Sequence, residues 1–174
     1  DLPGEGESIF HSEEQFLSNK VDLATASFGQ NFQISPLQLI TAVSAVANGG
    51  NLMKPYIVKE ILDSDGNIVE STEPTVVRQV ISEETSELMC DILETVVSEG
   101  TGKNAYVAGY HIAGKTGTSE KKAKQAETGR NDLRISSFIA FAPADDPQVA
   151  VLVILDEPTV QPVTGGITAA PVIR

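Results

Sequence analysis

Gly114-Lys115-Thr116-Gly117-Thr118 gathers a cation, two hydroxyls and two glycines into one short string. Acyl transfer from a peptide needs a fixed cation near the nucleophile and the substrate carboxylate. It also needs a backbone N–H aimed at the oxygen that becomes negative. An extended strand would place Lys115 and Gly117 on one face, and the missing side chain at Gly117 would let a substrate backbone lie against it. Thr118 would add a hydroxyl and its own N–H. Lys-Thr-Gly alone is also compatible with an ordinary exposed strand end.

The same residues allow a second chemistry, because Gly109-Tyr110-His111-Ile112-Ala113-Gly114-Lys115-Thr116 has the spacing of a phosphate-binding loop. Residues 149–157, an apolar run closed by Asp156 and Glu157, imitate the second strand of such a site. A working phosphate loop opens a helix that packs on the sheet. Here Gly117 follows at once, residues 119–128 offer no apolar stripe, and Tyr110, His111 and Ile112 favour strand. The extended reading is therefore preferred, and nucleotide binding is the remote alternative.

The elements that must position this string follow from periodicity and caps. Residues 1–19, with Pro3, Gly4 and Gly6, read as irregular polypeptide of the kind found at a mid-domain start. Ser35 caps a helix with Pro36 at its first position, Gln38 completing a capping box and Ile34 stapling onto Leu39, ending at Asn48-Gly49-Gly50. Its apolar residues Leu37, Leu39, Ile40, Val43 and Val46 lie on nearly all sides, which predicts burial. Residues 56–62 and 68–70 predict a hairpin across an Asp-Gly turn, and 76–81 a further short strand. Ser82 caps a second helix with Glu83 and Glu84 in its first turn and Leu88, Ile92, Leu93, Val96 and Val97 as its stripe, stopping at Gly100.

From His111 onward the pattern becomes strand-like over 111–119, 135–142 and 148–155, which predicts three antiparallel neighbours. The charged stretch 120–132 reads as a mobile, solvated loop, and Gly165-Gly166 precedes an apparent helix start at 168–171. The whole is an α+β arrangement of antiparallel strands with packed helices.

The chain has 174 residues and a formal charge of −12, from 24 acidic against 12 basic side chains. It is long enough for one core, and its charge argues against nucleic acid or an anionic membrane surface as partner. The apolar run 149–155 is far too short to cross a bilayer. Cys90, the single cysteine, excludes an internal disulfide and reads as core filler. His11 has no second ligand at zinc spacing. His111 reads as a packed or half-exposed strand residue. Asp156 and Glu157, adjacent at a strand end, should point to opposite faces and so make no acid–base pair.

Gly114-Lys115-Thr116-Gly117-Thr118-Ser119 resembles the Lys-Thr-Gly motif of penicillin-binding proteins and serine β-lactamases. Ordered blocks on both sides resemble class B transpeptidases: Ser27-Phe28-Gly29-Gln30, Ser35-Pro36-Leu37-Gln38-Leu39, Ala47-Asn48-Gly49-Gly50 and Glu99-Gly100-Thr101-Gly102 upstream. Ser136-Ser137-Phe138, Phe141-Ala142-Pro143, Asp156-Glu157-Pro158 and Gly165-Gly166 follow downstream. The resemblance implies a serine β-lactamase/transpeptidase-like fold, with residues 1–174 as the C-terminal part of the transpeptidase domain.

By the same resemblance Lys115 organises the proton network and attracts the substrate carboxylate. Thr116 and Thr118 hydrogen-bond that carboxylate, Gly117 lines the substrate, and the Thr118 N–H is half of the oxyanion hole. The parent would be a serine-type D,D-transpeptidase acting on peptidoglycan stem peptides and acylated by β-lactams. It would sit on the extracytoplasmic face of the cell membrane through an N-terminal anchor absent here, with possible cell-wall synthesis partner proteins and without a cofactor or metal.

The family also requires Ser-x-x-Lys and Ser-x-Asn upstream of Lys-Thr-Gly. No Ser-x-Asn occurs, and the only formal Ser-x-x-Lys, Ser119-Glu120-Lys121-Lys122, follows the strand and enters the polar stretch. These residues alone are therefore expected to be inactive. The alternative is a non-catalytic module of the same fold that binds peptidoglycan or a protein.

Overall fold

Three serines set the helix starts. The computed structural model describes residues 3, 4 and 6–174. In it Ser12 caps α1 (Glu13–Ser18), Ser35 caps α3 (Pro36–Ala47) and Ser82 caps α4 (Glu83–Ser98). Each accepts a backbone N–H from the third helical residue, and at Ser12 and Ser35 the glutamine there returns the bond. Asn19 ends α1 and caps α2 (Lys20–Ala26) through Val21 N–H. Of the irregular polypeptide expected at 1–19, α1 replaces residues 13–18, while the described residues before it form no helix or strand; Asp1, Leu2 and Glu5 lie outside the described residues. Ser12-x-x-Gln15 was the overlooked signal.

Helix α3 is only half-buried: Ala45 alone is fully covered and Leu37 is 42% exposed. Its apolar residues do surround the axis, but α4 and the sheet cover one side of it. After Asn48, Gly49 and Gly50 take positive φ and turn the chain into β1 (Asn51–Met53). Three residues bounded by glycine gave no periodicity to read there. The expected hairpin forms as β2 (Glu60–Leu62), shorter than the expected run 56–62, and β3 (Ile68–Ser71), one residue longer than expected. Asp63 holds the turn by accepting from Asp65 and Asn67 N–H, both at 2.9 Å. β4 (Val76–Gln79) pairs antiparallel with β1.

Helix α4 buries one face as expected, but that face is Ser86, Cys90 and Val97 with Leu93, whereas Leu88 and Ile92 stay about half exposed. The stripe is rotated because Ser86 Oγ donates to Val46 O at 2.5 Å, with Cys90 just beyond, so a polar contact to α3 sets the helix's roll. A short 3₁₀ turn, Lys103–Ala105, follows.

The main sheet has the order β5-β6-β7, all antiparallel: β5 (Ala113–Glu120), β6 (Arg134–Ala142) and β7 (Val149–Asp156). Strand β6 is central and buried on both faces. Phe138 and Ala140 pack with Val97, Ala105, Ile112 and the C-terminal Ala169–Ala170, while Phe141 packs with Ala113, Cys90 and Ala144. Period-two alternation thus feeds two cores from one strand.

The charged stretch 120–132 contains a helix, α5 (Lys122–Thr128), where a mobile loop was expected. It buries no residue, in keeping with its lack of an apolar stripe, and is a helix all the same. Ion pairs from Lys121 and Lys124 to Asp156 and Glu157 hold it, and Gly129 at φ 69° caps it. The C-terminal helix start lies earlier than expected, as a π turn over Gly165–Ala169 continued by a 3₁₀ turn, Ala170–Val172.

Candidate active site

Lys115 lies in mid-strand on β5, opposite Ile139 of β6. β5 pairs with β6 alone, so among the described residues its other edge has no strand neighbour. An extended backbone from Ala113 to Glu120 is incompatible with a phosphate loop, which would have to curl into a helix at Lys115.

The Lys115 side chain is exposed, and its Nζ donates to Thr116 O at 3.0 Å. Among the described residues it forms no ion pair, which leaves its charge uncommitted to any carboxylate. Thr116 Oγ1 lies 3.4 Å from Thr101 Oγ1, and Thr118 Oγ1 accepts the Gly165 N–H at 3.2 Å. The expected site residues Lys115, Thr116, Gly117 and Thr118 are thus presented along one free edge, with the hydroxyls tied to Thr101 and Gly165.

Gly117 also faces its cross-strand neighbour. A Cβ there would meet Ser137 Oγ on β6, so the glycine leaves room for that hydroxyl. Gly165 is more confined: its Cβ would meet Ser137 O and come within 2.6 Å of Gly117 O. A Cβ at Gly166 would meet Thr101 O. Asn104 Nδ2 donates to Gly166 O at 2.7 Å. Among these supporting residues Thr101 and the Gly165-Gly166 pair stood in recognisable blocks, whereas Asn104 carried no sequence signal.

The remaining candidates fall outside the edge. Ser119 is on β5 and Lys122 opens α5, both exposed, so this Ser-x-x-Lys has no helix carrying serine and lysine on one face. His111 precedes β5 rather than lying in it, and its Nδ1 sits 2.7 Å from Glu94 Oε1. That hydrogen bond, then the Glu94 charge, pushes the His111 pKa above its usual value. Asp156 and Glu157 do not point to opposite faces, because Glu157 leaves the strand at φ 53°. Both accept from Lys121 Nζ, at 2.8 and 2.6 Å. The bonds from Lys121 and then Lys124 hold the Glu157 carboxyl down at about 2, which makes the cluster a tether and not an acid–base pair. Burial raises the Cys90 thiol, and the thiol has no role at the edge.

The described family that matches is "Penicillin binding protein transpeptidase domain", over residues 1–174. Stage V sporulation protein D of Bacillus subtilis is 46% identical over 174 residues, covering 99% of this chain and 26% of that protein. A peptidoglycan D,D-transpeptidase FtsI homolog of Mesostigma viride is 33% identical, covering 100% of this chain and 31% of that protein. Among solved structures, penicillin binding protein 3 of Mycobacterium tuberculosis complexed with aztreonam superposes with TM-score 0.81 at 29% identity, covering 98% of this chain and 39% of that one. The chain therefore spans about a quarter to two-fifths of the length of these proteins.

Proposed function

Because the chain belongs to the penicillin binding protein transpeptidase domain family, we propose that it is the C-terminal part of a serine-type D,D-transpeptidase that cross-links peptidoglycan stem peptides and is acylated by β-lactams. The observation that carries this reading is the β5 edge, which among the described residues has no strand neighbour and presents Lys115 without an ion pair, with Thr116 and Thr118 beside it.

In this reading a Ser-x-x-Lys helix and a Ser-x-Asn segment come from polypeptide upstream of residue 1. The upstream serine attacks the carbonyl carbon, its proton passing to the lysine of that helix. The leaving D-alanine amine, or the opened ring nitrogen of a β-lactam, takes a proton in return. Lys115 supplies positive charge to that proton network and to the substrate carboxylate, which Thr116 and Thr118 hydroxyls bind. The Thr118 N–H and the serine's own N–H receive the oxyanion. Loss of one such donor costs on the order of 100- to 1,000-fold in acyl-transfer enzymes. The parent would act on the extracytoplasmic face of the membrane through an upstream anchor.

The test is labelling with a fluorescent penicillin. The full-length protein should label, residues 1–174 should not, and Lys115→Ala in the full-length protein should slow labelling by at least 100-fold. A full-length protein that never labels would favour a non-catalytic binding module of the same fold.

A further inference from the structure

The edge is supported from behind by a segment with almost no side chain. Gly165 and Gly166 lie so close to β5 and to Thr101 that a Cβ on either would strike backbone carbonyls, and Gly165 N–H reaches Thr118 Oγ1 at 3.2 Å. A hydroxyl has one proton to give and two lone pairs to receive with. Once Gly165 occupies a lone pair, the Thr118 proton is directed elsewhere, toward whatever lies along the free edge. Backbone flanked by two glycines has little intrinsic preference for this conformation, so something must hold it there.

The side chain that does so is Asn104, an exposed residue on the short turn after α4, which donates to the O of buried Gly166 at 2.7 Å. A carbonyl can only accept, which fixes the amide with its NH₂ toward Gly166. We propose that Asn104 is a positioning residue for this site. It holds the Gly165-Gly166 segment against β5, keeps Gly165 N–H on Thr118 Oγ1, and so presets the Thr118 hydroxyl as a donor to the carboxylate of the substrate or of a β-lactam. This assignment rests on the transpeptidase reading above.

The experiment compares full-length wild type, Asn104→Ala, Asn104→Asp, Thr118→Val and the Asn104→Ala/Thr118→Val pair. The rate of acylation is measured with a penicillin and with its methyl ester, which lacks the carboxylate. Asn104→Asp keeps the shape and loses the donor. Both Asn104 variants should acylate about fivefold more slowly with the penicillin, the worth of one ordinary hydrogen bond, and change little with the ester. In the Thr118→Val background the Asn104→Ala effect should vanish. Hydrogen exchange at the Gly165 amide should quicken by a similar factor in Asn104→Ala, with β6 amides unchanged.

Wild-type rates in both Asn104 variants would overturn the assignment. So would equal losses with penicillin and ester, full additivity with Thr118→Val, or faster exchange spread through β6, since each marks a merely structural residue. Lys115→Ala run alongside separates the two readings. If it abolishes labelling while Asn104→Ala does nothing, the transpeptidase reading stands and this one falls; an unlabelled wild type removes both.

Discussion

Gly165 is the position beside β5 where adding one methyl group should disturb the backbone most directly. A Cβ there falls on Ser137 O and lies 2.6 Å from Gly117 O and 2.9 Å from Gly117 N, all backbone atoms of two paired strands that no rotamer change can clear. The segment must instead move away from β5. Forcing an extra methyl into packed surroundings costs about 1–3 kcal/mol, and losing the bond from Gly165 N–H to Thr118 adds about 1 kcal/mol. A total of about 2–4 kcal/mol, at 1.4 kcal/mol per tenfold, corresponds to about 30- to 700-fold faster opening. Native-state hydrogen exchange on full-length Gly165→Ala should show that acceleration at the Ile167 and Thr168 amides, which bond to Thr164 O. Gly117→Ala is the internal comparison. Its Cβ meets only the Ser137 hydroxyl, so Ser137→Ala should rescue Gly117→Ala and leave Gly165→Ala unimproved. Rescue of Gly165→Ala by Ser137→Ala, or a smaller effect at 165 than at 117, would refute this account of the contact.

The tether on α5 should depend on pH through Glu157. Its folded-state value of about 2 lies below the ordinary 4.5, so its contribution is complete above pH 4.5 and lost as pH falls through about 2. Exchange protection of α5 amides relative to Glu157→Gln should therefore shrink across that window, and a constant ratio would contradict the tether. Cys90 is 8% exposed with its thiol pushed up by burial. It should resist alkylation at pH 8 in the native protein and react on unfolding, as mass spectrometry would show; rapid native labelling would contradict the packing of α4 on the sheet.

Local chemistry made much of this structure readable. Ser35 with Pro36 and Gln38, and Ser82 with its acidic first turn, announced α3 and α4, because caps act within a few residues. The nearly continuous apolar run at 138–142 announced β6, because each of its faces meets a core. Lys115 and its neighbours stand out by type and spacing, and they lie on one extended strand, β5. What escaped notice depends on distant partners. Helix α5 is held by bonds to Asp156 and Glu157, more than thirty residues away, so its polar sequence resembled a loop. The roll of α4 is set by Val46, forty residues from Ser86. Asn104 matters only through Gly166, sixty-two residues on, and no window along the sequence joins them.

Strand β6, clamped by one core above and another below, has a mechanical consequence for the edge it supports. β5 is paired with a strand that can neither tilt nor slide without disturbing Phe138 on one side and Phe141 on the other, and α4 packs on β5 as well. A ligand arriving at Lys115 would meet a rigid ledge whose alignment was settled on folding. Little ordering should remain to be done at the moment of contact.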